Sequence, residues 1–127
     1  MQHMKKIDLS RLHPTFRRLV LEYMRRSGLK QGQIASLVGM QRSHFNALLN
    51  GSSDRPLTAY YLLKFIRKGI VKVKDIKDGN AKNEREVEFW ESAGEAENIA
   101  TLQLIAKLRK RGIDVDQLLK SALPKDQ

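Results

Sequence analysis

Glycine residues divide this chain into short segments in which apolar residues recur every three or four positions. The segment from Phe16 to Met24 has this spacing and is followed by Gly28. Such spacing places apolar side chains on one face of an α-helix, and a glycine just past the last turn is typical of a helix end. The alternation expected of a strand occurs only at residues 70–73. The pattern therefore predicts an all-α fold.

Five helices are predicted between residues 13 and 78. His13-Pro14 begins the first, because proline suits the first helical position, where its missing N–H has no intrahelical partner. Gly28, Gly39, Gly51 and Gly69 mark successive helix ends. Thr58 has the side chain of an N-cap. The expected later helices cover roughly residues 31–38, 41–50 and 58–69, with a short turn around Ile76.

Residues 79–127 have helical spacing as well and are predicted to form a separate appendage. Two helices are expected, over 83–93 and 95–111, with a last helix that Asp114 caps and that contains Leu118, Leu119 and Leu123. The apolar stripe exceeds what a lone tail helix needs. We predict that it mediates dimerisation; the alternative is that it folds back onto the first domain. The dimerisation candidates are Trp90, Ile99, Leu102, Ile105 and Leu108.

Basic charge is concentrated in the first part of the chain. The formal net charge is +10; residues 1–80 contain 16 Lys and Arg against 5 Asp and Glu, and residues 81–127 contain 8 against 9. Such an excess favours binding to a polyanion or simply solubility. With no cysteine, disulfides and thiolate chemistry are excluded. The longest apolar run, residues 59–63, is too short to cross a membrane, and no secretory signal is visible, so we expect a soluble cytoplasmic protein.

The segment from Gln31 to Gly51 contains the most specific pattern. Ala35 is small where two helices would cross closely, and Gly39 permits a tight turn between them. Ile34 and Phe45 would face the interior. This segment resembles the helix-turn-helix of the Cro/lambda-repressor-like (XRE) family, and the resemblance extends over residues 13–78. It implies a five-helix, lambda-repressor-like DNA-binding domain, preceded by a basic arm at residues 1–12 that includes Lys5, Lys6 and Arg11.

The resemblance also assigns roles to individual residues. In this motif the second helix of the pair enters the major groove and its first residues contact base edges. The implied base-reading residues are Gln41, Arg42, Ser43 and Asn46. Arg42 suits guanine, and Gln41 or Asn46 suits adenine. The implied contacts to the DNA backbone are Gln31, His44, Asn50, Ser52, Ser53 and Arg55, with surface filling as the alternative for His44.

Two functions from different classes remain open. The first is a sequence-specific transcriptional regulator from a phage or bacterium, most simply a dimeric repressor on a palindromic operator at the nucleoid. The alternative is an antitoxin or anti-defence adaptor that binds a protein through the glutamates at residues 84–97, with DNA binding serving autoregulation. No catalytic constellation, metal spacing or phosphate loop is evident, so we expect neither enzyme activity nor a cofactor.

Overall fold

The computed structural model describes residues 7–52 and 54–117. In these ranges a 3₁₀ turn (Ser10–Leu12) precedes six α-helices, and the sole β-type pairing is an isolated antiparallel bridge between Asp8 and Thr58. The described part of the chain is thus all-helical, which confirms the predicted class. The helices are α1 (His13–Ser27), α2 (Gln31–Leu37), α3 (Arg42–Asn50), α4 (Ala59–Arg67), α5 (Val73–Ile76) and α6 (Glu84–Lys110).

The helix ends fall where glycine was expected to place them. Gly28 and Gly51 follow α1 and α3 directly with φ angles of 75° and 81°, in the left-handed region that glycine adopts without steric cost. Gly51 has a second constraint, because a Cβ atom there would lie 3.0 Å from the ring of His13. Thr58 is the residue that precedes α4, but its buried hydroxyl has no hydrogen-bond partner in the described part.

Three phenylalanines form the centre of the core. The rings of Phe16 in α1 and Phe65 in α4 meet edge-on at 4.9 Å, and Phe45 in α3 stacks on Phe65 at 5.9 Å. All three side chains are fully buried. Apolar residues of α2, α5 and the loops surround them. One core therefore holds the helix pair α2 and α3 against α1 and α4.

The predicted break near Gly94 is wrong, because α6 continues without interruption over 27 residues. Gly94 takes an ordinary helical conformation with no atom near its missing Cβ position. A glycine inside a helix costs only about 1 kcal/mol relative to alanine. Burial of Ala93 and Ala96 on either side stabilises the helix through this point.

The first half of α6 belongs to the same core as the preceding helices. It packs chiefly against α4, and Phe89, Trp90, Ala93 and Ala96 are buried in the common cluster. Trp90, a predicted dimerisation residue, is only 5% exposed, so that assignment is corrected: its ring packs against Phe89 within the chain. For this half of α6, folding back onto the first domain is the observed arrangement.

Residues before α1 are also part of the core. Ile7, Leu9 and Leu12 are buried, and Leu9 N–H donates to the Leu57 carbonyl at 2.9 Å. Residues 7–12 were expected to belong to a basic arm. Their apolar side chains instead pack in the core of the domain. Lys5 and Lys6 lie outside the described residues.

Arg11, expected in that arm, joins α6 to the rest of the fold. Its guanidinium contacts the carboxylate of Asp78 and, at 2.7 Å, that of Glu86. Glu86 is 4% exposed and also accepts the Lys82 N–H at 3.0 Å. A buried carboxylate needs such partners. Arg11 is therefore engaged within the chain.

Beyond α6 the chain turns at Gly112. Asp114 then accepts the Gln117 N–H at 3.0 Å, which is the predicted capping contact, and residues 115–117 are helical. The predicted apolar residues of this last helix, Leu118, Leu119 and Leu123, lie outside the described residues.

Candidate functional site

The pair formed by α2 and α3 has a short, well-bonded connection. Met40 N–H donates to the Ala35 carbonyl at 2.8 Å, and Gly39 N–H donates to Ser36 at 3.1 Å. Gly39 has a φ angle of 69°, which lets the chain reverse in four residues. Ala35 is 1% exposed, as expected for a small residue at a helix crossing. The two helices are thus fixed relative to each other.

The first turn of α3 presents four polar side chains to solvent. Gln41 is the N-cap residue, and Arg42 begins the helix. Gln41, Arg42, Ser43 and Asn46 are all exposed, whereas Phe45, Leu48 and Leu49 are buried. All four predicted base-reading residues are therefore exposed, and Arg42, Ser43 and Asn46 lie within about 100° of one another around α3.

Arg42 has no acidic partner in the described part of the chain. The ion pairs found there involve other residues, and residues 23–53 contain no Asp or Glu. The aliphatic part of Arg42 passes beside α2, since a Cβ atom on Gly32 would lie 4.0 Å from Arg42 Cδ. The guanidinium therefore keeps its donors for an external acceptor, while α2 supports its stem.

Asn46 and Asn50 lie one turn apart on α3. Asn50 donates an amide N–H to Asn46 Oδ1 at 3.4 Å. Both side chains are exposed. This long, weak bond orients the Asn46 amide and leaves its NH₂ group available.

The residues predicted to contact the DNA backbone lie on both sides of α3. Gln31 is the first residue of α2 and is half-buried. Ser52 is half-buried in the loop after α3, where its Oγ accepts the Asp54 N–H at 3.3 Å. Arg55 is exposed in the same loop, and Ser53 lies outside the described residues. Gln31 thus begins the helix pair, and Arg55 follows the pair in the chain.

His44 has a packing role that its place in the backbone-contact set did not suggest. Its ring meets Tyr61 of α4 edge-on at 5.0 Å, and its buried Nε2 has no hydrogen-bond partner in the described part. Burial, followed by the charges of Arg55 and Lys64, lowers the pKa of His44 below its ordinary 6.5. The ring is therefore neutral at pH 7.

His13 is a positioning residue that the sequence reasoning missed. Its Nε2 lies 3.0 Å from the carbonyl oxygens of both Leu48 and Leu49. Because two carbonyls only accept, Nε2 must carry the proton and donate to them. These carbonyls belong to the last turn of α3, where carbonyls lack their usual intrahelical partners; that of Leu48 also accepts the Gly51 N–H at 3.3 Å. His13 thus fixes the end of α3 to α1; no spacing in the sequence signals it.

The remaining predicted dimerisation residues lie in the second half of α6. Ile99 and Leu102 are 57% and 65% exposed, and Ile105 and Leu108 are half-buried. An open groove of about 330 Å³ beside them is lined by Arg67, Lys68, Glu95 and Ile99, among others. Apolar surface of this kind on a helix is typical of an interaction site.

Neither a metal cluster nor a spanning helix occurs in the described ranges. No three His, Asp or Glu side chains there are close enough to hold a metal ion. No helix there combines the length and the apolar character needed to cross a membrane. Comparison with protein-family models, with curated proteins and with solved structures finds no match to this chain.

Proposed function

We propose that this protein binds double-stranded DNA in a sequence-specific manner and regulates transcription. The observation that supports this most directly is the exposed polar turn of α3, formed by Gln41, Arg42, Ser43 and Asn46. It projects from a helix pair fixed by a tight turn and a buried alanine, which is the arrangement a helix-turn-helix uses to enter the major groove. A groove about 12 Å wide accepts one α-helix.

Each polar residue of that turn has a chemical match on a base edge. Arg42 can donate two parallel N–H bonds to O6 and N7 of guanine. The amides of Gln41 and Asn46 can pair with N6 and N7 of adenine. The absence of a carboxylate from residues 23–53 favours approach to phosphate, because an acid on this face would repel the DNA backbone.

Phosphate contacts would flank the base contacts. Gln31 supplies a hydrogen-bonding side chain at the start of α2. Arg55 supplies a charge from the loop after α3, and Asn50 and Ser52 supply hydrogen-bonding groups. Such contacts set the register of the protein on the duplex without selecting sequence. His44 is left out of this set, because its ring is neutral and packs against Tyr61.

The regulator is most simply a repressor that binds as a homodimer. One helix pair contacts only a few base pairs, so two copies on adjacent major grooves, about 34 Å apart, extend the site. A palindromic operator then matches the two-fold symmetry of the dimer.

Selection of bound fragments from a random duplex library tests the proposal. We expect enrichment of a palindrome. The variant Gln41→Ala/Arg42→Ala should bind DNA without enriching that sequence, while Arg25→Ala on the exposed end of α1 serves as the matched control and should select it unchanged. Absence of any enriched sequence from the wild-type selection would overturn the proposal.

The adaptor function has one observation in its favour. Glu84, Glu88, Glu91 and Glu95 of α6 are exposed, and none of them lies on α2 or α3. Two further glutamates of the same stretch bind within the chain, since Glu97 accepts the Val73 N–H at 2.8 Å and Glu86 pairs with Arg11. The acidic surface offered to a partner is therefore smaller than the sequence implied.

A further inference from the structure

The side of α6 that faces away from the core has an ordered charge pattern. With 100° per residue, one row of side chains lies opposite the buried Phe89 and Ala93. We call this row the outer stripe. All its members are exposed, and they are Glu84, Glu88, Glu91, Glu95, Ile99, Leu102, Ala106 and Arg109.

The outer stripe is acidic in its first half, apolar in the middle and basic at its end. Ile99 and Leu102 are each more than half exposed, and Arg109, the one basic member of the stripe, lies in the last turn. The helix dipole favours acids in the first turn and bases in the last, and its effect falls off within one turn. Glu91 and Glu95 lie two and three turns into the helix, so the dipole does not account for them.

We propose that a second copy of this chain packs on the outer stripe in antiparallel orientation, with the two α6 helices crossing near residue 100. Glu91 and Arg109 are each nine residues from that point, so Glu91 of one protomer faces the partner's Arg109. The apolar residues Ile99 and Leu102 then meet around the two-fold axis. A parallel, in-register pair would instead place glutamate against glutamate and arginine against arginine, which is destabilising.

The apolar centre and the charges have separate effects on this pairing. Burial of Ile99 and Leu102 supplies affinity, whereas exposed ion pairs contribute little and mainly fix orientation. Arg109 already lies 3.5 Å from Asp116. That pair is exposed, and a guanidinium has five N–H donors, so it leaves Arg109 able to bind a partner's carboxylate.

This inference rests on the proposed function for its biological purpose, the doubling of DNA contacts, but the assembly is measured without DNA. In sedimentation of the full chain we expect a dimer. Glu91→Lys alone and Arg109→Glu alone should each raise the dissociation constant about tenfold, because each places like charges together at two symmetric positions. The double variant Glu91→Lys/Arg109→Glu should restore it. Equal dimer stability in all four proteins would overturn the antiparallel arrangement.

Cysteine cross-linking gives an independent test, because the chain has no cysteine of its own. A mixture of Glu91→Cys and Arg109→Cys chains should form a disulfide-linked dimer under oxidation, and Glu91→Cys alone should not. Efficient self-linking of Glu91→Cys would indicate a parallel pair and contradict the proposal.

A wild-type monomer at tens of micromolar would also overturn it. If deletion of residues 118–127 then produced a dimer, the outer stripe would be covered by the chain's own end. Failure of the proposed function can be distinguished from failure of the pairing. A dimer that passes both tests but selects no DNA sequence refutes sequence-specific DNA binding alone. A monomer that still selects a half-site refutes only the pairing.

Discussion

At the scale of single residues, burial separates the side chains that build the site from those that are available to a ligand. His44 and Arg42 lie two residues apart on α3. The His44 ring packs against Tyr61, whereas the Arg42 side chain has no acidic partner in the described ranges. The resemblance assigns both to the DNA-contacting set, but two residues of helix rotate by about 200°, and this rotation turns His44 away from Arg42 and towards α4. His13 shows the converse, since its contact with α3 depends on a residue 35 positions away.

Arg42 provides the sharpest residue-scale prediction about function. Arg42→Ala should cost about 1–3 kcal/mol on the best operator and relax the preference at one base pair. Arg42→Lys keeps the charge but loses the two-pronged donor geometry, so it should lose selectivity and keep most of the non-specific affinity. Binding measured on the operator and on single-base variants checks this. An equal loss on every sequence would make Arg42 a phosphate contact.

The lowered pKa of His44 predicts how the free energy of unfolding depends on pH. Because burial lowers the pKa of His44 below 6.5, the unfolded chain takes up this proton more readily than the folded chain. The contribution of His44 to the free energy of unfolding is therefore complete above pH 6.5 and is lost as the pH falls through the folded-state pKa. Urea unfolding from pH 7.5 to 5 measures it. His44→Phe, which keeps a ring against Tyr61, should show a shallower loss; identical slopes would contradict the assignment.

At the scale of helices, the sequence predicted where α1 to α4 begin and end to within one or two residues, because each has a local signal such as Pro14 or Gly51, and it predicted α5 only as a turn around Ile76. It failed at Gly94, where the same residue type lies inside α6. The difference is backbone conformation: Gly51 has a φ angle of 81°, and Gly94 is helical. Which state a glycine adopts depends here on the packing of its neighbours, Ala93 and Ala96, against α4.

Two glycine substitutions test this distinction as a matched pair. Gly94→Ala should raise the free energy of unfolding by about 0.5–1 kcal/mol, since alanine is the better helix former and its Cβ meets no atom. Gly51→Ala should lower it by more than about 1 kcal/mol, because alanine is strained at this φ and its Cβ would lie 3.0 Å from His13. Chemical denaturation checks both; stabilisation by both changes would refute the account.

At the scale of the whole molecule, the charge boundary near residue 80 does not coincide with a structural boundary. The net charge changes sign there, but Phe89 and Trp90 complete the core that begins at Ile7. The charge composition reports mainly on surface residues. It cannot show that buried helix faces from the two sides of residue 80 pack together. The exposed polar residues at the start of α3 could be located from the sequence because they lie within six positions of one another, whereas the Arg11–Glu86 contact joins residues 75 positions apart.

Two truncations test whether the chain has one core. Removal of residues 83–127 should unfold the remainder, because it exposes the α4 face and deletes Phe89 and Trp90. Loss of one such core side chain lowers the free energy of unfolding by about 3–5 kcal/mol, and the total is about 5–15 kcal/mol. Removal of residues 99–127 keeps every α6 residue of the core and should leave a folded protein. Circular dichroism and thermal unfolding distinguish these results. A folded 1–82 fragment would show that two independent units exist.

The uninterrupted passage of α6 through Gly94 also makes this helix a rigid spacer. About 20 Å of helix lies between Ala96, the last buried residue of α6, and the helix end at Lys110, so the distance and rotation between the core and any surface bound at that end are fixed together. Each residue inserted after Ala96 would advance the end by about 1.5 Å and rotate it by about 100°. A two-turn insertion of seven residues would nearly restore the original angle and lengthen the spacer by about 10 Å.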